Sequence, residues 1–334
     1  MSLNFKCVVF LIFQYLWISM TYGQITKDSL LIKEGVFDID GYCLPNIGGL
    51  GHAKGLEINY RNVFKYAIDT KFNNNDTAYS DIINRHRKVE AKAKIPILLR
   101  NNFKLILGLN YSAEEFKFKE YEIIDNSFYA ALNSKPLQTF GATIYATKPF
   151  KSNTFLTGRA SFRLSGDFTQ KSLEDYFRTS ISVLYGWRRN ATFAWGFGAS
   201  YNYTFGKQLI IPVISLSKKL SPRWSFGAML PISTKLRYSL NEKNSFEFET
   251  KISGDNYNIT LVPISNVNLF IQRSDWLISA TYEREIYDFI WIGASVGNRY
   301  NITFDLFEKN AFVSRSTPII SNRLQNAFFA EVSL

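Results

Sequence analysis

The sequence has very little cysteine and histidine for its length. Its 334 residues include two cysteines and two histidines. Cys7 lies in the N-terminal apolar run, so Cys43 is left alone if that run is removed on export, and a disulfide framework is excluded. One cysteine cannot form a metal cluster, and no metal-ligand spacing, phosphate loop or nucleotide motif rises above background. The sequence therefore predicts no cofactor and no bound metal.

Long hydrophobic runs are absent except at the N-terminus. There Lys6 is followed by CVVFLIFQYLWISM and then by the small-residue site at 21–23. Basic, apolar and small residues in this order predict a signal peptide at residues 1–23, and an uncleaved membrane anchor is the alternative. Later parts of the chain have nothing near the roughly 18 apolar residues of a membrane-spanning helix. If the remainder crosses a membrane, it must do so as strands.

The shortage of histidine also argues against catalysis. His52 precedes the first predicted strand, and His86 ends the first predicted external loop, so the two lie at opposite rims. His86 is then the one candidate for a general base, and no nucleophile motif accompanies it. The sequence therefore predicts no enzymatic activity. Arg85, Arg87 and Lys88 around His86 form a basic cluster that could bind lipopolysaccharide phosphates or could be a solvated loop end.

Strict alternation of large and small residues is what the sequence has in abundance. In FAWGFGASYNYTF, residues 193–205, the aromatic rings share one parity, and Ala, Gly, Ser, Asn and Thr share the other. Successive side chains of a strand project to opposite faces, so this segment is a two-faced strand. Solubility normally places Lys and Glu on a solvated face. The small opposite face instead suits the concave inside of a closed sheet, with the rings turned outward into lipid.

The same alternation recurs along the chain from residue 54 to the end. It gives about fourteen strands, with a range of 12 to 14, most of them as long as the ~9 to 11 residues that a tilted membrane strand requires. Alternate connections are short and polar, whereas the others include long loops at 69–87, 119–136 and 305–322. Short turns on one side and long loops on the other are typical of outer-membrane barrels. Trp187, Trp195 and Trp224 lie near the short turns, where an interfacial aromatic girdle is expected.

The fold prediction is therefore all-β: a closed antiparallel transmembrane β-barrel. We expect a signal peptide at 1–23, an N-terminal periplasmic extension or plug at 24–53, and the barrel at 54–334. The expected location is the outer membrane of a Gram-negative bacterium. Expected partners are outer-membrane lipid, lipopolysaccharide and the outer-membrane insertion machinery. The formal charge of +11 suits anionic headgroups, whereas the scattered basic residues and the secretion signal argue against nucleic acid.

The inward parity of these strands is rich in charge. The residues predicted to line the lumen are Arg61, Lys65, Lys92, Lys94, Lys104, Arg159, Arg163, Arg178, Arg188, Lys235, Arg237, Glu247, Glu249 and Lys251. An open, basic lumen would favour anions, which predicts a passive channel or transporter for small, preferably anionic solutes. In the alternative, the charges pair across strands, such as Lys235 or Arg237 with Glu247 or Glu249. The barrel would then be a non-conducting structural or interaction barrel with a side-chain-filled lumen.

One stretch also resembles a known family. The segment ISLSKKLSPRWSFGAMLPISTKLRYSLNEKNSFEF, residues 214–248, has a lysine-containing turn into Trp-Ser, then Leu-Pro, a Lys-x-Arg-Tyr strand and another short turn. It is similar to outer-membrane β-barrels of unknown function from Gram-negative bacteria. The resemblance implies a barrel and an outer-membrane location, and it implies no catalytic or binding residue.

Overall fold

A computed structural model of the chain describes residues 54–72, 78–119, 127–150, 153–169, 172–260, 269–308 and 317–334. The predicted signal peptide at 1–23 and the predicted extension at 24–53, which includes Cys43 and His52, lie outside the described residues. The helical structure in the described ranges includes no segment long and apolar enough to cross a membrane.

The described chain is almost entirely antiparallel strand. In chain order its elements are β1 Leu56–Val63, β2 Tyr66–Phe72, β3 Ala78–Arg100, β4 Phe103–Phe118, helix α1 Ser127–Ser134, β5 Leu137–Pro149, β6 Thr154–Gly166, a 3-10 turn Glu174–Tyr176, β7 Phe177–Asn190, β8 Phe193–Asn202, β9 Leu209–Lys219, β10 Trp224–Leu230, β11 Ser233–Asn241, β12 Asn244–Ile259, β13 Leu269–Tyr287, β14 Ile290–Phe307, β15 Ile320–Leu324 and β16 Ala327–Ser333.

These strands close into a barrel. Each strand from β3 to β14 pairs with the strands before and after it in the wall. Strands β1 and β2 together fill one position beside β3, and β15 and β16 together fill one position beside β14. Pairing of β1 with β16 and of β2 with β15 closes the ring. The wall therefore has fourteen strand positions, which confirms the predicted closed barrel.

Side-chain exposure shows which face of the wall is apolar. On β8, the Phe197 side chain is 52% exposed and Ala194 is 1% exposed, so the ring faces outward and the small residue faces inward. Large apolar residues are exposed at outward positions on most other strands. This confirms that the aromatic parity of FAWGFGASYNYTF faces outward. The parity ends sooner than predicted, because β8 stops at Asn202 and the Tyr203 ring is buried.

The ends of the wall differ from the predicted loops. Strand β2 runs to Phe72 and β3 begins at Ala78, so most of the predicted loop 69–87 is strand. Strand β14 extends to Phe307 and β15 begins at Ile320, both within the predicted loop 305–322. The predicted loop 119–136 contains helix α1. Beyond the apolar band the strands still alternate between inward and outward side chains, but the outward ones are polar. In the sequence such a segment looks like a loop.

Strand lengths are unequal around the barrel. Strands β10 and β11 have 7 and 9 residues, whereas β3 has 23 and β13 has 19. The wall is therefore low at β9–β11 and tall from β12 round to β4. We call the rim with the short β3–β4 and β13–β14 turns the short-turn end, and the opposite rim the long-loop end.

The outward face gives a direct stability test. Replacing Phe197 with Lys places a charge in the apolar band, and we expect the free energy of unfolding from lipid vesicles to fall by about 2–4 kcal/mol. Phe197→Leu keeps an apolar side chain and should cost much less. Denaturant titration of tryptophan fluorescence in vesicles measures both variants. Equal losses for the two would show that lipid does not surround this face.

Candidate functional site

The residues predicted to line the lumen occupy strand positions with one exception. All of them except Lys65 lie within strands of the barrel. Lys65 lies in the gap between β1 and β2, and its side chain is exposed. The gap shifts the alternation of inward and outward residues by one position, because Val63 before it and Tyr66 after it are both buried and face inward. The reason is local: one extra residue at this point moves Lys65 off the inward parity that the sequence predicts.

The inward charges of β11, β12 and β13 form a ladder of ion pairs. Lys235 Nζ lies 3.3 Å from Glu247 Oε1 and 3.6 Å from Glu249 Oε1. Arg237 Nη1 lies 2.8 Å from Glu283 Oε2 and 3.6 Å from Glu247 Oε2. Further contacts at the ends of the ladder join Lys251 to Glu249 and Lys54 to Glu283. The predicted cross-strand pairing of these charges is therefore confirmed.

A second buried network lies at a different level of the lumen, and sequence reasoning missed it. His86 is 1% exposed and faces the lumen from β3, so the prediction that it ends an external loop is wrong. Its Nε2 lies 2.5 Å from Glu114 Oε1, and its Nδ1 lies 2.8 Å from the Tyr66 hydroxyl. A carboxylate can only accept, so His86 Nε2 donates to Glu114 and Nδ1 accepts from Tyr66.

Two arginines extend this network towards β13 and β14. Arg273 contacts the Glu114 carboxylate, and its Nη2 lies 2.7 Å from Asp275 Oδ2. Arg299 Nη1 lies 3.2 Å from Asp275 Oδ1, and the Arg299 guanidinium lies over the Tyr66 ring at 4.2 Å. Glu114 could have been found from the sequence, because it lies on the inward parity of β4, two residues after Ser112. The partners on β13 could not, because β4 and β13 are distant in the sequence.

An apolar cluster fills the barrel interior at the long-loop end, and we call it the apolar cap. Helix α1 packs Phe128, Tyr129 and Leu132 into this cluster, and the Tyr129 hydroxyl contacts Thr70 of β2. Burial raises the pKa of Tyr129 to about 12, so its hydroxyl stays protonated. The strand residues of the cap are Val63, Tyr66, Ile68, Ile83, Phe116, Phe118, Leu137, Tyr257, Ile259, Leu269, Ile271, Leu277, Phe304, Leu306, Ile320, Leu324, Ala327 and Phe329.

The tall β12–β13 hairpin reaches across the interior to β6 and β7. Asn258 of β12 pairs with Gly166 of β6, although these strands lie six positions apart in the wall. Arg178 of β7 donates from Nε to the Asn256 carbonyl at 3.1 Å and to its side-chain oxygen at 3.0 Å. The Ser274 hydroxyl donates to the carbonyl of Thr204, which follows β8. The upper hairpin therefore crosses the lumen above the low part of the wall.

A polar cavity of about 130 Å³ remains between these elements. Basic residues from several strands line it, together with the acidic side chains of the second network. The volume is enough for a few water molecules. Its basic lining residues are Arg61, Lys88, Arg163, Arg273 and Arg299. Among the described residues, no three His, Cys, Asp or Glu side chains are grouped so that they could hold a metal ion.

The ion-pair ladder gives a second stability test. Arg237→Ala leaves the buried carboxylate of Glu283 without its guanidinium partner, and we expect the free energy of unfolding to fall by about 3–5 kcal/mol. The exposed turn residue Lys243 is the matched control, and Lys243→Ala should change stability by less than about 0.5 kcal/mol. Arg237→Met combined with Glu283→Met removes both charges and should recover most of the loss. An Arg237→Ala loss no larger than that of the control would contradict a buried ion pair.

Several solved outer-membrane barrels are similar to the chain in fold. The translocator domain of the autotransporter NalP from Neisseria meningitidis is 10% identical, with a TM-score of 0.31 over 86% of this chain and 90% of that one. The toluene transporter TodX from P. putida is 7% identical, with a TM-score of 0.30 over 84% and 90%. The outer membrane protease OmpT from Escherichia coli is 8% identical, with a TM-score of 0.28 over 86% and 99%.

At sequence identities this low, the similarity concerns the fold alone. No curated protein matches the sequence. A family described as a domain of unknown function, DUF6268, matches residues 62–332, which is most of the chain. This match confirms the resemblance to a barrel family of unknown function. The chain belongs to the DUF6268 family, and its fold is that of an outer-membrane β-barrel.

Proposed function

We propose that the protein is a non-conducting structural or interaction barrel of the outer membrane with a side-chain-filled lumen. One observation supports this most directly: small polar residues at inward positions have no access to water. The side chains of Ser200 on β8 and Ser215 on β9 are both 0% exposed. In a water-filled lumen such short side chains would face solvent. Other atoms therefore fill the interior beside β8 and β9.

Three elements account for this filling. The apolar cap occupies the long-loop end, the β12–β13 hairpin crosses the middle, and the ion-pair ladder occupies the wall towards the short-turn end. A smaller apolar cluster fills the low side of the barrel, where Phe155, Leu184, Ala194, Val213 and Met229 pack together. Polar and apolar side chains thus fill different levels of the same lumen.

A passive channel for small, preferably anionic solutes is the second candidate, because the lumen wall is basic on one side. Lys92 and Lys94 on β3, Lys104 on β4, and Arg159 and Arg188 on β6 and β7 occupy inward strand positions. The acidic residues of the ladder lie on the other side, on β12 and β13. If the hairpin moved aside, a lumen with this wall would lower the barrier for anions.

Neither candidate gives His86 a catalytic role. Both of its ring nitrogens are occupied by Tyr66 and Glu114, and the ring stacks on Phe116 at 4.4 Å. A general base needs a ring nitrogen that can reach a substrate proton. We therefore propose that His86 ties β2, β3 and β4 together inside the barrel, and that the protein is not an enzyme.

The proposed setting is the outer membrane of a Gram-negative bacterium, reached through the insertion machinery. The exposed apolar band supports contact with lipid chains, because residues such as Phe140, Phe177 and Val296 face outward on strands distributed around the wall. An exposed apolar surface that encircles the protein needs an apolar medium.

Planar-bilayer recording separates the two candidates. For the wild-type protein we expect no conductance steps, because the cap, the hairpin and the packed side chains fill the lumen. Frequent openings with a reversal potential that favours anions would support the channel and contradict the filled barrel. Openings that favour cations would contradict both.

The hairpin gives a control within the same experiment. Arg178→Ala removes the guanidinium contacts with Asn256, so brief openings should become more frequent than in the wild type if the hairpin closes the lumen. Arg223→Ala removes the same charge at the exposed short-turn end and should leave the recording unchanged.

A further inference from the structure

Two neighbouring irregularities in the wall turn basic side chains to the outside at the same height. Between β1 and β2, Phe64 and Lys65 are both exposed, and the flanking residues face inward. On the adjacent β3, the pairing register shifts between Ile83 and Arg85, and Asn84 and Arg85 are both exposed. The pairs Val63–His86 and Tyr66–Ile83 bracket both irregularities, so Lys65 and Arg85 lie at one level.

Strand β4 adds a third cation at this level. Lys117 is directly opposite Arg85 in the β3–β4 pairing, and Arg87 follows two residues below. Like charges directly opposite each other on neighbouring strands destabilise a sheet. The nearby carboxylate is Glu115, which lies 3.9 Å from Lys117, and both side chains are more than one third exposed. Glu115 is also directly opposite Arg87 in the pairing, but a solvent-exposed pair contributes little, so among the described residues this carboxylate does not offset the four cations.

The polarity of the wall inverts at this level. Below it, towards the short-turn end, Tyr60 and Val89 are exposed on the outside, and charged residues such as Glu90 face inward. Above it, Asp69 and Lys71 are outside. The apolar cap fills the inside there. An apolar outside requires hydrocarbon, and a polar outside with an apolar core is typical of a wall surrounded by water. The basic residues therefore lie where the apolar band ends.

We infer that Lys65, Arg85, Arg87 and Lys117 form a binding site for the phosphate groups of lipopolysaccharide in the outer leaflet. We call these four residues the basic rim patch. Phosphates at the edge of the hydrocarbon would lie level with the patch, and their charge would relieve the repulsion between Arg85 and Lys117. A guanidinium group can donate two parallel hydrogen bonds to one phosphate group. The Phe64 ring, 54% exposed, is available to contact an acyl chain beside the phosphates. This inference rests on the proposed outer-membrane location.

Lipid binding by the full chain tests the inference. The probe is purified diphosphorylated lipid A, compared with the same lipid after removal of its phosphates, and measured by titration against the folded protein in detergent. We expect the triple variant Lys65→Gln, Arg85→Gln, Lys117→Gln to bind the phosphorylated lipid on the order of 100-fold more weakly. Each cation near an anionic headgroup contributes roughly a factor of five.

The matched control removes three exposed charges at the short-turn end. Lys218→Gln, Arg223→Gln and Lys243→Gln together should change binding less than about twofold, because these residues lie at the opposite rim. Heat-dependent mobility on a gel checks that every variant is a folded barrel. If the triple variant does not fold, Arg85→Gln alone removes one side of the like-charge pair and should weaken binding about fivefold.

Three outcomes would overturn the inference. The triple variant could bind lipid A as tightly as the wild type, or the phosphate-free lipid could bind equally well. Inorganic phosphate could also displace the lipid at comparable concentration, which would make the ligand a free anion. None of these results depends on conductance. Anion-selective openings in bilayers that lack lipopolysaccharide would overturn the proposed filled barrel and leave the basic rim patch intact.

Discussion

Closure of the sheet by backbone hydrogen bonds is the constraint on which the rest of the structure depends. Ile58 near the start of β1 and Leu334 at the end of the chain donate to each other's carbonyls at 2.8 and 2.9 Å. In hydrocarbon each unpaired backbone group costs several kcal/mol, so a strand edge is not tolerated. Closure also forces every second side chain inward. Where β8 approaches the backbone of β7 closely, glycine is required, because a Cβ on Gly198 would lie 1.9 Å from the Val183 carbonyl oxygen.

Unequal strand lengths explain why the upper part of the β12–β13 hairpin reaches β6 and β7. Strand β11 pairs with β12 up to Ser233, which lies opposite Lys251. The residues of β12 that follow Lys251 have no partner in β11. Unpaired polar groups there must find other partners. Asn256 and Asn258 find them across the lumen, with Arg178 and with the backbone around Gly166. The contacts of the upper hairpin with β6 and β7 thus follow from the short β10 and β11 strands.

Much of the fold could be predicted from the sequence, because period-two alternation is a local property. It was sufficient for the closed barrel, the strand number and the outward rings of β8. The alternation was not sufficient where a strand is irregular or extends beyond the apolar band. Alternation extended through an irregularity predicts Lys65 inside, and the predicted start of β3 comes too late in the chain because Ser80 and Asn84 look like loop residues. The network of His86, Glu114 and Arg273 could not be predicted, since its members meet only when β3, β4 and β13 close on one another.

The inversion of wall polarity explains why one lumen contains both ion pairs and an apolar core. Within lipid, the outer face must be apolar, so polar residues such as Glu283 and Arg237 lie inside and need partners there. Above lipid, water surrounds the wall, and burial of apolar side chains again drives packing. Phe116 and Phe304, whose rings lie 5.8 Å apart, then pack as in a soluble domain. A barrel with this arrangement is stabilised by different interactions at its two levels, with ion pairs at one and apolar packing at the other.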